Sequence, residues 1–290
     1  MKTHFLAATA LACSAFGAAQ VPPAAPAGNS LESAALLQKS AVADQAMTQS
    51  SLATAACAYN FTSGTGDSVL DYCVTVNGNI TSIVTTGSLN QNVAIEKAEG
   101  YGLCDQSTGM IYNDFAGMGD AGTGSWGPAT LVSQTATTLK IARTTTDGAW
   151  TLSQVVTQVG GDSPNIRIAM TLKNNSAIDK TATLIRYLDT DIAGVTPNSF
   201  DATTDGATAW NSTTISNSLA QAAGLVLENI GTPGGLHTAF TQTVYWPPSP
   251  CDPFAKEGFL FIGDGSLGLF YRPLVSAHSS VTATMMYRGW

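Results

Sequence analysis

The sequence predicts an all-β protein, an antiparallel β-sandwich preceded by a short N-terminal helical segment. Three observations carry that expectation. From Cys57 onward apolar and polar residues alternate with a period of two; Asn-Gly and Asp-Gly pairs separate the alternating runs; and the runs are rich in Thr and Val, with 28 Gly spread through the 290 residues. Alternation sends one set of side chains to a core and the other to solvent, as in a sheet covered on one face.

The chain opens on Met1-Lys2-Thr3-His4, a short basic start, and an apolar run over residues 5–12. Small residues at Gly17-Ala18-Ala19 suit a signal peptidase. Residues 1–19 are therefore expected to be a signal peptide cleaved after Ala19, delivering a secreted or periplasmic protein; lipidation at Cys13 is the alternative. Residues 20–29 are a Pro/Ala linker. Asn29, with Glu32 three residues on, starts a segment over 30–56 expected to be helical. Residues 57–290 are expected to form a single β-sandwich domain, and no later segment has the run of about 18 apolar residues that a transmembrane helix needs.

Within that domain the clearest hairpin lies over residues 74–83, where Asn77-Gly78 is expected to form a type I′ turn with positive φ at both positions. A second joins residues 139–146 to 150–159 across Asp147-Gly148. With 166–174 and 181–189 these runs are expected to make a four-stranded antiparallel meander. Further β runs occupy 225–228, 238–246, 258–262, 267–272 and 280–288. A transmembrane barrel is the competing β architecture, but Arg288 would face lipid if Trp290 did, and aromatic girdles are not evident.

Beyond Cys13 there are four cysteines, without C-x-x-C spacing or paired His, which favours two disulfides over zinc. Three pairings are open. Cys57 and Cys73 flank one hairpin-like stretch, so Cys57–Cys73 and Cys104–Cys251 are the expected pair. The balance of 12 Lys and Arg against 20 Asp and Glu, without a basic run, gives a phosphate backbone nothing to bind, so nucleic acid is excluded as a partner.

The densest polar group follows Arg186. Asp189, Asp191, Asn198, Asp201 and Asp205 are oxygen donors of the kind Ca²⁺ takes, although their spacing is not that of an EF-hand. Solvated turn carboxylates, or an Asp189–Arg186 ion pair, would use the same residues. Three aromatics are candidates for stacking on a sugar: Trp126, in a glycine-rich stretch over 116–128, and Tyr245 and Trp246, entering a proline-rich loop. Core packing is the alternative for Trp126. The G-x-G-x-x-G pattern at 117–122 precedes Pro128 rather than a helix and is not a dinucleotide site. No G-x-S-x-G occurs, and only His237 and His278 lie beyond the leader. The acids nearest to a catalytic pair are Glu96, Glu99 and Asp114, with Tyr101 and Tyr112 beside them. Asn60, Asn79, Asn174 and Asn211 head glycosylation sequons, relevant in a eukaryotic host.

Residues 168–176 (IAMTLKNNS) followed by 184–194 (LIRYLDTDIAG) resemble the mid-sheet hairpin of galactose-mutarotase-like β-supersandwich domains, in which an Asn-x-Ser turn precedes a strand ending near a Tyr. The resemblance implies that fold and a saccharide-facing surface. Arg186 stands where the family's catalytic His precedes the Tyr, and its C-terminal Glu motif has no match, so the resemblance implies no mutarotation. The expected function is non-catalytic binding of a glycan or another surface ligand. A structural or adhesive surface protein, and a carbohydrate-active enzyme with a carboxylate pair, are the alternatives.

Overall fold

A computed structural model describes residues 56–64, 69–85, 89–91, 99–116, 124–192, 197–211, 224–231, 236–243, 247–252 and 260–289. The expected leader, Cys13, linker and helical segment lie outside the described residues, as do Tyr245, Trp246 and the 117–122 glycine pattern.

Among the described residues every pairing between strands is antiparallel, and the strands form three sheets. The first is the meander β1 (Tyr59–Ser63), β2 (Leu70–Val74), β3 (Ile80–Thr85) and β4 (Leu89–Gln91). Next in the chain come β5 (Glu99–Asp105) and β6 (Met110–Phe115), then β7 (Thr130–Gln134), β8 (Thr138–Thr144), β9 (Trp150–Val159), β10 (Asn165–Asn174) and β11 (Lys180–Asp189). The last third supplies β12 (Asn198–Ala202), β13 (Gly206–Asn211), β14 (Gly224–Asn229), β15 (His237–Gln242), β16 (Phe261–Gly263), β17 (Ser266–Tyr271), β18 (Leu274–Val275) and β19 (Ser280–Gly289). A nine-stranded sheet runs β16-β12-β13-β14-β19-β10-β9-β8-β7, and a six-stranded sheet runs β15-β17-β11-β5-β6 with β18 on β11.

Side chains from all three sheets meet in one apolar core. Alternation is clearest in β9, where Trp150, Leu152, Gln154 and Val156 turn inward while the residues between them are half-exposed. Buried polar pairs fasten the two large sheets face to face. Trp150 Nε1 of β9 donates to Asp105 Oδ2 of β5 at 3.2 Å, and Lys180 Nζ meets the same oxygen at 2.6 Å.

Two expectations about local structure need correction. Only three of the four expected runs stay together: β8, β9 and β10 are consecutive neighbours, with β7 completing the meander on the β8 side, but β10 next pairs with β19, while β11 crosses to the other sheet between β17 and β5. The turn after Asn174 carries that crossover, its side chain donating to the carbonyls of Ile178 and Val275, and β11 is almost wholly buried, as a central strand requires. The Asn77-Gly78 turn is also not type I′. Gly78 has φ +88° and Asn77 has no positive φ; the Gly78 amide donates to Thr75 O and the Thr75 amide to Asn79 O, closing a three-residue loop.

The disulfides pair as expected, Cys57 with Cys73 and Cys104 with Cys251. No helix among the described residues is long and apolar enough to cross a membrane.

Candidate functional site

The residues singled out by the sequence separate into a sealed interior cluster and an open surface groove. The interior cluster is built around the β2–β3 turn, where Asn77, Gly78 and Asn79 are buried against the two large sheets while Val76 is exposed. Asn77 O accepts from Tyr101 of β5 at 3.0 Å and from Gln154 of β9 at 3.2 Å. Asn77 Nδ2 and Asn79 Nδ2 donate to the two oxygens of Asp114 at 2.8 and 2.7 Å, and Asp114 is also ion-paired with Arg143. Glu99 accepts from the Ile80 amide, from Arg186 and from Tyr287, while Arg186 reaches back to Gly78 O and to Gln154.

These contacts decide what the acids can do. Burial pushes the Glu99 carboxyl above the usual carboxylate range, and the Arg186 guanidinium, the Ile80 amide and the Tyr287 hydroxyl oppose the rise. A raised carboxyl is a property of a general acid. Here, however, Glu99 and Asp114 are both buried and bonded to partners of this chain, so among the described residues the pair serves to hold the fold. Arg186 pairs with Glu99 rather than Asp189, because residues three apart on β11 point to opposite faces of the strand.

Trp126 is 4% exposed. Its ring packs against Tyr101 and Tyr112 with centroids at 5.6 and 6.0 Å, and the Arg143 guanidinium lies 5.8 Å from its centre. It is a packing residue, so the stacking role expected from its glycine-rich surroundings is not open to it. The five oxygen donors disperse: Asp189 and Asn198 are fully buried, Asp191 is half-buried, and Asp201 and Asp205 are exposed. Among the described residues no three of His, Cys, Asp and Glu gather closely enough to hold a metal ion. Of the four sequon asparagines, Asn60 is exposed and the other three are buried.

The groove lies on the outer face of the nine-stranded sheet and encloses about 310 Å³. Strand alternation builds it. Phe200, Ala207, Ala209, Leu225, Leu227, Met285 and Tyr287 turn into the core, which leaves the residues between them on the outer face. Register then sets the lining in rows across four strands. Asp201 pairs with Thr208, Thr208 with Val226, and Val226 with Arg288. One step along β13 stands Trp210, opposite Gly224, which adds no side chain there; one step the other way, Gly206 pairs with Glu228. Asp205, in the β12–β13 turn, completes the wall.

That turn is pinned from two directions. Asn229 N donates to Asp205 O at 2.7 Å, and Ala239 N donates to Thr204 O at 3.1 Å. Beneath it His237 Nε2 lies 2.6 Å from Asp205 Oδ1; the histidine side chain is 1% exposed and the aspartate side chain 70%. Asp201, Glu228 and Arg288 make no ion pair with described residues, so their charges face solvent in the groove. Two of the expected oxygen donors, Asp201 and Asp205, thus belong to this wall, while Trp210, Glu228 and Arg288 were not anticipated. The signal for Trp210 is present in Gly206-Ala207-Thr208-Ala209-Trp210, where small apolar residues alternate with a Thr and a Trp that must share the outer face.

The sequence matches no family model and no curated protein sequence. Among solved structures the fold is similar to a heparan sulfate lyase mutant from Pedobacter heparinus, at 8% identity and TM-score 0.42, covering 80% of this chain and 35% of that one. The chain thus spans about a third of that enzyme's length. It is also similar to a protein from Escherichia coli K12 assigned as an aldose 1-epimerase, at 12% identity and TM-score 0.40, covering 80% of this chain and 99% of that one.

Proposed function

We propose that this is an exported β-sandwich protein that binds a saccharide, without transforming it, in the groove formed by β12, β13, β14 and β19. The observation that carries the reading is the lining. A tryptophan on the outer face, flanked by carboxylates and a guanidinium, supplies a flat apolar surface for a sugar ring and hydrogen-bonding groups for its hydroxyls. The reacting groups of a hydrolase are not assembled there: the histidine is buried beneath Asp205, and the interior acids Glu99 and Asp114 are sealed by the hairpin tip. Export is supported by the two disulfides, which persist in oxidising compartments.

A glycan array of the chain from residue 20 onward, with and without Ca²⁺, tests the proposal. Binding that Trp210→Ala abolishes is the expected result; binding to no glycan in either condition would overturn it. The calcium arm also tests the oxygen donors Asp189, Asp191, Asn198, Asp201 and Asp205, since retention only with Ca²⁺ would assign them a metal.

One observation favours the adhesive reading instead. All five residues of β7, an edge strand of the nine-stranded sheet, are exposed, Leu131 and Val132 among them, and the strand carries no charge. Oligomers in solution that Val132→Lys disperses would support it.

A further inference from the structure

We infer that the groove selects cationic saccharides, oligomers of amino sugars with free amines, over neutral and acidic ones. The inference rests on the saccharide-binding reading and adds its charge class. Three carboxylates, Asp201, Asp205 and Glu228, line the groove against one guanidinium, Arg288. Among the described residues only Asp205 has an ionisable partner, His237, which lies beneath the wall rather than in the groove, while Asp201 accepts from the Ala202 amide and carries its charge uncompensated. The excess of negative charge is therefore presented to whatever enters. A uronate or sulfated sugar would bring like charge into this space, whereas an ammonium group would meet its counter-ion.

Two further features fix the class. The carboxylates are spread along the groove: Asp201 and Glu228 stand on strands separated by β13 and in different register rows, and among the described residues no three acidic or imidazole groups converge on a point. A single metal ion is thus a poor match, while an oligomer carrying one ammonium per ring presents charges at intervals. Trp210, on the same face as Thr208, offers an aromatic surface that a sugar ring uses and a linear polyamine uses poorly. The chain as a whole, at a formal net charge of −8, steers cations toward the groove.

The test is titration of the protein with tetramers of glucosamine, of N-acetylglucosamine and of galacturonate, and with spermidine, at a pH where the amines are charged. Calorimetry gives the affinities. The glucosamine tetramer is expected to bind about tenfold tighter than the N-acetylated one, a ratio that a few exposed ion pairs support, and the preference is expected to shrink at high salt. Asp201→Asn/Glu228→Gln should bring the two affinities together by weakening the glucosamine tetramer more than the N-acetylated one, and a preference that persists undiminished in this variant would overturn the assignment to these carboxylates. Equal or reversed ranking in the unaltered protein would overturn the charge selectivity and leave saccharide binding standing. Spermidine binding as tightly as the glucosamine tetramer, and unaffected by Trp210→Ala, would overturn the sugar part. Binding of none of the four would overturn the saccharide reading and this inference together.

Discussion

Arg186 and Glu99 form an ion pair with both side chains 0% exposed, and the pair holds a turn from a different sheet. The two residues lie on neighbouring strands, β11 and β5, with Leu188 rather than Arg186 directly opposite Glu99. Each completes its bonding on the β2–β3 turn: Glu99 takes the Ile80 amide and Arg186 reaches Gly78 O. Desolvating two charges costs several kcal/mol apiece, and only a nearly complete set of hydrogen bonds offsets it. The tip of the small sheet supplies part of that set, so it acts as a wedge of polar backbone between the large sheets.

Removing one partner leaves the other charged and buried. Glu99→Ala or Arg186→Met is expected to lower unfolding free energy by about 3–5 kcal/mol, whereas the double variant should recover a large part of the sum. Urea denaturation of the three variants measures the coupling; single losses within about 1 kcal/mol would show that the pair is dispensable.

Gly78 is the second place where the wedge is sensitive. Its φ of +88° disfavours any side chain, and a Cβ there would come within 2.6 Å of Gln154 Nε2. Gly78→Ala should destabilise by about 1–3 kcal/mol through backbone strain and displacement of Gln154, which also holds Asn77 O and Arg186. Gly148 also has a positive φ, +74°, but its Cβ would meet nothing, so Gly148→Ala is the control that isolates strain from the clash. Equal losses in the two variants would assign the whole effect to strain.

Where side chains alternate or turn residues punctuate, the sequence made the fold legible, and where long-range pairing decides, it did not. The β8–β9 hairpin across Asp147-Gly148 and the two disulfides could be read because each depends on neighbouring residues or on elimination among four cysteines. The crossing of β11 to the other sheet could not, since its alternating pattern is equally compatible with a place beside β10. β5 and β6 were missed as strands: Glu-Gly-Tyr-Gly-Leu-Cys-Asp is buried at every position and so lacks the period of a half-covered strand. The same strands carry Glu99, Tyr101 and Asp114, whose neighbourhood was foreseen but whose partners, Arg186 and Arg143, come from far along the chain. The groove follows the same rule. Asp201 and Asp205 stand out by composition, but Glu228 and Arg288 join them only through the register of four strands.

Asp105 links pH to the seam between the large sheets. Burial pushes its carboxyl up, but hydrogen bonds from Lys180 and Ser107 outweigh that and leave it below the usual carboxylate value. A carboxyl held low in the folded state stabilises above its unfolded pKa, and that contribution is lost as pH falls through the folded value. Acid titration of unfolding free energy is therefore expected to show a loss beginning below about pH 4 that Asp105→Asn removes. Because Asp105 Oδ2 also receives Trp150 Nε1, the loss should be accompanied by a change in tryptophan fluorescence. An unchanged acid limb in Asp105→Asn would place the pH sensitivity elsewhere.

The two disulfides should contribute unequally. Cys57–Cys73 closes 16 residues within the small sheet, while Cys104–Cys251 spans 147 residues and ties β5 to the turn before β16. If constraint of the unfolded chain dominates, the loop lengths correspond to about 3 and about 5 kcal/mol. Cys104→Ser/Cys251→Ser is then expected to lower the denaturation midpoint more than Cys57→Ser/Cys73→Ser. Packing could reverse that order, because Cys73 sits on β2, one residue before Val74, which leads into the wedge. Comparing the two double serine variants before and after full reduction, when neither they nor the parent hold a disulfide, separates the two effects: a loss relative to the equally reduced parent is packing of the substituted side chains, and the part that reduction removes is chain constraint. A larger loss in Cys57→Ser/Cys73→Ser than in Cys104→Ser/Cys251→Ser, each with the other disulfide intact, would mean that the small sheet, rather than the long-range tie, limits the stability of the whole domain.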